Sequence, residues 1–316
     1  MQKSKALELI NSHSSYFKQL PRKWQMDIDI ILHAIKKDSH IFEYIYEDFK
    51  FDIEFMMKVL QIDGLLLKET PQEIKNNKKT VLCAVQQNGL ALEYASSLIK
   101  ENKSIILHAV QQNGLALQYI SQVLCDDRVI VNKAVQQDGR ALAYASARLK
   151  DDKYIVINAV KNKPNALKFA SKYLKNDRNI VLEAIKRKGK AIYYASEELK
   201  NDNEMLLDVL KYRNSAKTYF SNIDKSLKDN KEFALKAVKI LGLNLKYFSD
   251  YLRNDKDVVL EAIRNYSGSF DYANKELKKE VGNQNPNQYL ESYFLYQKFN
   301  KTIKKKSDNI VNKKKI

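Results

Sequence analysis

The chain has 316 residues, 44% of them apolar, with only 8 Gly and 4 Pro and a formal net charge of +17. That apolar share excludes a disordered chain, and so little Gly and Pro argues against an all-β protein full of tight turns. No apolar run approaches ~20 residues and "MQKSKALELINSHSSYF" lacks an apolar signal core, so neither a transmembrane segment nor a secretory signal peptide is expected.

In chain order, residues 1–25 read as an N-terminal helical cap. From residue 26 to 279 the chain repeats itself, which is the primary clue to its fold. A small anchor residue recurs as Ala34, Val59, Ala84, Ala109, Ala134, Ala159, Ala184, Val209, Ala237 and Ala262. Every step is 25 residues except the one between Val209 and Ala237, where "SNIDKSLKDNKE" suggests a loop insertion. Five positions after the anchor comes a turn slot, Gly in most copies but Ser39, Pro164, Asn214 and Ser267 in others. Ten positions after it comes an aromatic, from Tyr44 through Tyr94, Tyr119, Tyr144, Phe169, Tyr194, Tyr219 and Tyr247 to Tyr272, with Glu69 breaking the column.

The unit "NDRNIVLEAIKRKGKAIYYASEELK" shows how one copy should fold. Asn176 or Asp177 can cap a helix whose Ile180, Val181, Ala184 and Ile185 share one face. Lys186, Arg187 and Lys188 suit its negative C-terminal end, and Gly189 is expected to stop it in the left-handed region. A second helix should follow, with Ala191, Ile192, Ala195 and Leu199 inward. Helices this short need neighbours for stability, so the prediction is an all-α solenoid of about ten 25-residue helical-pair repeats with atypical caps. In the second copy "TPQE" at 70–73 reads as a capping box, with Pro71 at the first helical position, and implies a local irregularity. Residues 280–316 read as a loop, an aromatic-rich and then Lys-rich terminal helix, and a frayed "SDNIVNKKKI".

These columns resemble the bacterial repeat family catalogued as domain of unknown function 4116, whose signature is similar to Ala134–Ser146, Leu149–Asp152 and Ile155–Ile157. The resemblance is strong across 76–208 and stays in register across 26–75 and 209–277. It implies a helical repeat with no established catalytic residues. Several proteins with such repeats come from intracellular bacteria that deliver effectors into eukaryotic hosts. This chain departs from a common effector pattern in having a Lys-rich, not Glu-rich, C-terminus.

Charge is uneven along the chain. Residues 1–159 hold 21 Lys+Arg against 19 Asp+Glu, and residues 160–316 hold 34 against 19. With 46 Lys to 9 Arg, this basic half fits a composition bias as well as a selected anion-binding surface. Cys83 and Cys125 form no CxxC pair and suggest no disulfide framework. His13, His33, His40 and His108 match no HExxH or Cys/His cluster, and no phosphate-binding glycine loop is present, so no metal, cofactor or small-molecule substrate is expected. Paired carboxylates such as Asp151-Asp152 and Glu197-Glu198 read as caps or solvated faces, not as acid–base pairs. The aromatic column reads as packing between repeats, with base stacking as the alternative.

The sharper feature lies two residues after the anchor: Lys36, Gln61, Gln86, Gln111, Gln136, Lys161, Lys186, Lys211, Lys239 and Arg264. Gln87, Gln112, Gln137 and then Arg187 and Lys188 widen it. The leading expectation is a non-catalytic scaffold binding a macromolecule, a protein first of all, along this ladder. The alternative is an RNA-binding solenoid using its basic later copies; an enzyme with a site assembled across repeats is the third. The cytoplasm is the default location, and delivery into a host cell by a route that needs no N-terminal signal peptide stays open.

Overall fold

The computed structural model describes residues 1–211 and 225–313, with side chains through 303. Among these residues there is helix and no strand. They form two compact units, Met1–Ala184 and Ile185–Ile316, and the helix Arg178–Arg187 spans the boundary. Asn214, Tyr219 and the first part of the insertion lie outside the described residues.

In the first unit each copy begins with a ten-residue α-helix, as in Lys78–Gln87, Lys103–Gln112, Arg128–Gln137 and Lys153–Asn162. An Asp or Asn starts each one. The Asp127 carboxylate accepts the N–H groups of Val129 and Ile130 at 2.9 and 3.2 Å, satisfying donors that a helix N-terminus leaves open. One face is then buried, in this copy Ile130, Val131, Ala134 and Val135. Burying each large apolar side chain contributes about 1.5–3 kcal/mol, which an isolated helix this short cannot obtain.

The second half of the copy is not one helix. It is a six-residue 3-10 helix, Gly139–Tyr144, then two extended residues, Ala145 and Ser146, and a one-turn helix, Ala147–Lys150. A 3-10 turn eclipses side chains three apart and does not run far. Ser146 then restarts the chain by accepting the Leu149 N–H at 3.2 Å. The inward residues are Ala141, Leu142 and Leu149. The helical pair of the sequence reading is thus a triplet of short helices.

The glycine slot also works differently from expectation. No described glycine except Gly282, at φ 58°, has a positive φ, so the turn glycines are not left-handed stops. They are required by close approach. A Cβ on Gly114 would lie 2.2 Å from the carbonyl oxygen of Ala134, the anchor of the next copy, and one on Gly139 would lie 2.2 Å from that of Ala159. Where Pro164 fills the slot it starts the following 3-10 helix, Pro164–Phe169.

Residues 3–25 carry the same sequence of elements, with helices Lys3–Ser12, Ser14–Gln19 and Arg22–Gln25. The second copy is regular too, and the capping box at 70–73 does not form. Pro71 precedes the helix Gln72–Lys75 without a side-chain cap, and the Thr70 hydroxyl donates back to the Leu67 carbonyl at 2.9 Å. In the second unit the copies at 231–254 and 256–281 follow the same plan. The helix Pro286–Lys313 ends the description, and its backbone runs through most of the stretch expected to fray, with no Gly or Pro to stop it.

Candidate functional site

The repeated thirteen residues divide into those that join copies and those that face outward. The second glutamine belongs to the first class. Gln137 Oε1 accepts the Gly114 N–H at 2.5 Å, and its Nε2 donates to the Gln112 carbonyl at 3.2 Å. Gln112 makes the same pair of bonds to Gly89 and Gln87, and Gln87 to Gly64 and Ile62. Asn162 does so with Gly139 and the carbonyl of Gln136, and in the second unit Asn265 does so with Gly242 and Lys239. Each side-chain amide is a bracket that holds the preceding copy by a turn N–H and a helix C-terminal carbonyl.

Two further brackets run along the stack. In three successive copies the basic residue opening the helix pairs with the cap of the next: Lys103 with Asp127 at 2.5 Å, Arg128 with Asp152 at 3.0 Å, Lys153 with Asp177 at 2.7 Å. Burial raises the pKa of Asp127, but the Lys103 ammonium and the backbone N–H groups of Ile130 and Val129 outweigh it and hold the carboxyl below its usual value. Asp152 and Asp177 behave alike. The serine of the copied stretch also donates backward, Ser96 to Asn76 at 2.8 Å and Ser171 to Asp151.

Both columns are exposed, and the first is the one whose side chains make no bond between copies. Gln86, Gln111, Gln136 and Lys161 are exposed, and no side chain among the described residues bonds to theirs. In the second unit Lys186, Arg187 and Lys188 are exposed at their helix end. Lys211 pairs with Asp208 at 2.6 Å and Arg264 with Glu291 at 3.6 Å, whereas Lys239 is exposed with no ion pair among the described residues. The ladder read from sequence therefore splits: Gln86, Gln111 and Gln136 look outward, while Gln87, Gln112 and Gln137 are engaged on both amide atoms.

The aromatic column lies at the margin of the core, its rings partly covered. Tyr94, Tyr119 and Phe169 are half-buried and Tyr44 and Tyr144 exposed; in the second unit Tyr194, Tyr247 and Tyr272 are half-buried. Deeper in the core lie the residues three and two places before them, such as Ala91 and Leu92, Ala116 and Leu117, and Ala141 and Leu142. Partial burial, with Glu93 alongside, pushes the Tyr94 and Tyr119 hydroxyls up, and Tyr119 also feels Tyr94 and Tyr144 as near neighbours. Lysines lie over several rings, Lys18 at 3.4 Å from the Tyr44 centroid and Lys246 at 4.9 Å from that of Tyr247.

The residue types able to do chemistry are occupied locally. His33 meets Asn11 at 2.9 Å, His40 meets Asp38 at 3.0 Å and His108 meets the Ser104 carbonyl at 2.8 Å. Cys83 and Cys125 are buried free thiols, and burial pushes the Cys125 thiol up, away from the reactive thiolate. Asp152 is a cap, and Asp151 accepts from Ser171. Among the described residues no group of three His, Cys, Asp or Glu could hold a metal ion. No described helix is long and apolar enough to cross a membrane.

The signal for the brackets is present in the sequence, 23 residues downstream of each turn slot. Gly64, Gly89, Gly114, Gly139 and Gly242 are followed at that distance by Gln87, Gln112, Gln137, Asn162 and Asn265. Ser39 and Pro164 are followed by Ile62 and Arg187, and proline has no N–H to offer.

A family model described as Domain of unknown function (DUF4116) matches residues 3–50, 52–100, 102–150, 152–200, 177–228 and 230–278. Each match spans about two of the 25-residue copies. No curated protein and no solved structure matches the chain.

Proposed function

The chain belongs to the DUF4116 family, and from that premise we propose that it is a non-catalytic scaffold that binds a protein partner along the outward column of its first unit. One observation carries this reading. Of the two adjacent glutamines copied through the repeat, one is used between copies, and the other stands exposed and unbonded on successive helices, as Gln86, Gln111 and Gln136, continued by Lys161. Glutamine amides offer a donor and an acceptor each, which suits recognition of a peptide backbone or polar side chains. The half-buried Tyr94 and Tyr119 and the exposed Tyr144 add amphipathic rings of the kind enriched at protein interfaces. The local engagement of the histidines, cysteines and paired carboxylates supports the non-catalytic part. The effector setting of similar repeat proteins supports looking for the partner in a eukaryotic cytoplasm as well as a bacterial one.

The test is photo-crosslinking from position 111 in both kinds of extract, followed by binding of the captured protein in purified form. A Gln86→Ala/Gln111→Ala/Gln136→Ala/Lys161→Ala variant should keep its thermal midpoint and bind at least ~10-fold more weakly. Unchanged binding would remove this face from consideration.

The second reading, an RNA-binding solenoid, is favoured by the exposed cations Lys161, Lys186, Arg187 and Lys239. Against it stands the pairing of Lys211 and Arg264 with carboxylates. Affinity for generic RNA must then fall steeply with salt. If a Lys161/Lys186/Lys211/Lys239→Glu variant binds RNA as the parent does at low salt, this reading fails.

A further inference from the structure

The terminal helix Pro286–Lys313 has two different halves. Its root is seated on the second unit: Leu290 is fully buried, the Tyr289 hydroxyl donates to Glu280 at 2.7 Å, and the Lys256 ammonium lies 3.8 Å from the Tyr293 centroid. Beyond Phe294 nothing among the described residues covers it. Leu295, Tyr296, Phe299 and Ile303 are 68, 64, 64 and 50% exposed, large apolar side chains with no packing to justify them. At helical spacing they fall within roughly 100° of arc, a continuous apolar stripe, while the exposed Lys301 lies on the opposite side and Lys298 beside it. The sequence from 292 to 307 holds five lysines and no carboxylate.

We infer that this helix half lies on an anionic lipid surface, its apolar stripe in the interface and its lysines held by the negative headgroups. Three features choose that occupant. A second copy of the same helix would bring two carboxylate-free lysine sets together, and like charges at helix-packing distance repel. A nucleic acid would satisfy the lysines and could stack on Tyr296 or Phe299, but offers nothing to cover Leu295 and Ile303. An anionic membrane matches both faces, since interfacial helices combine Phe and Leu on one side with Lys on the other. At about 1.5 Å per residue the stripe is ~12 Å long, enough to lie in an interface and far too short to span a bilayer. The seated root would hold the second unit's own repeats beside the membrane.

The experiment uses the full chain and two vesicle types, phosphatidylcholine alone and phosphatidylcholine mixed with phosphatidylserine. The parent should sediment with the mixed vesicles and remain in solution with phosphatidylcholine. A Leu295→Ser/Phe299→Ser/Ile303→Ser variant, its substitutions all at exposed positions, should keep the parent's circular dichroism and lose vesicle affinity at least ~10-fold. A Lys79→Gln/Lys133→Gln variant, altered at exposed positions on the repeats, should sediment like the parent. No sedimentation of the parent, equal sedimentation with both vesicle types, or undiminished binding by the triple Ser variant would each overturn the inference. So would binding to single-stranded RNA, but not to vesicles, that the triple Ser variant loses.

Discussion

Gln136 and Gln137 are chemically identical neighbours with opposite duties. Gln137 closes an N–H of the buried Gly114 and a helix-end carbonyl, so Gln137→Ala should destabilise the chain by about 1–3 kcal/mol in urea unfolding. Gln137→Asn should cost less, because Asn162 and Asn265 make the same bracket with a shorter side chain. Gln136→Ala should stay within about 0.5 kcal/mol of the parent; equal losses at both positions would refute the division. Gly114→Ala places a methyl group against the backbone of Ala134, where no side chain can turn aside, and should cost about 1–3 kcal/mol. Asn244 points the other way. It fills a core position that is Ala91, Ala116 or Ala141 in other copies, and its carbonyl oxygen is buried without a partner among the described residues. Replacing it with alanine should leave the thermal midpoint unchanged or raise it, although its amide bond to the Ala237 carbonyl is lost.

Asp127, Asp152 and Asp177 each cap a ten-residue helix and also receive a cation from the copy before. Asp127, Asp152 and Asp177 all have their carboxyl pKa lowered. Such a group contributes stability that is fully present above the unfolded value, about 3.9, and is lost as pH falls through the lower folded value. The thermal midpoint should therefore be flat around neutrality and drop below about pH 4. In an Asp127→Asn/Asp152→Asn/Asp177→Asn variant, which can still cap but cannot titrate, the neutral midpoint should be lower and the acid drop shallower. An acid limb identical to the parent's would place the titrating groups elsewhere. At this scale the sequence announced the caps, the ten-residue helices and the inward Ile, Val, Ala and Leu, because periodicity and capping are local properties. It misjudged the second half of each copy: "ALAYASARLK" has an apolar spacing compatible with one helix, yet the chain breaks at Ala145 and Ser146 and restarts, as it also does where Tyr46 or Pro71 stands in the serine's place.

For the whole molecule, every bracket joins a copy to its immediate neighbour, 20 to 26 residues away in sequence. Stability should then follow nearest-neighbour terms. In hydrogen exchange, Gly114→Ala should speed amide exchange across residues 103–137 well before it is felt in the copies near the N-terminus. Uniform acceleration throughout the first unit would show instead that it opens as a single block. The sequence by itself determined the helical class, the 25-residue period, the register of the core and the family, since all of these are written in residues that recur at fixed spacing. It misread the role of the turn glycines and did not separate the two glutamines, and both depend on tertiary structure. Whether a glycine serves a left-handed turn or a close approach depends on which backbone lies against it. Whether an amide faces solvent or another copy depends on one residue of helical rotation, about 100°, at the packed interface. Those are relations between copies, and a single copy's sequence does not contain its neighbour's position.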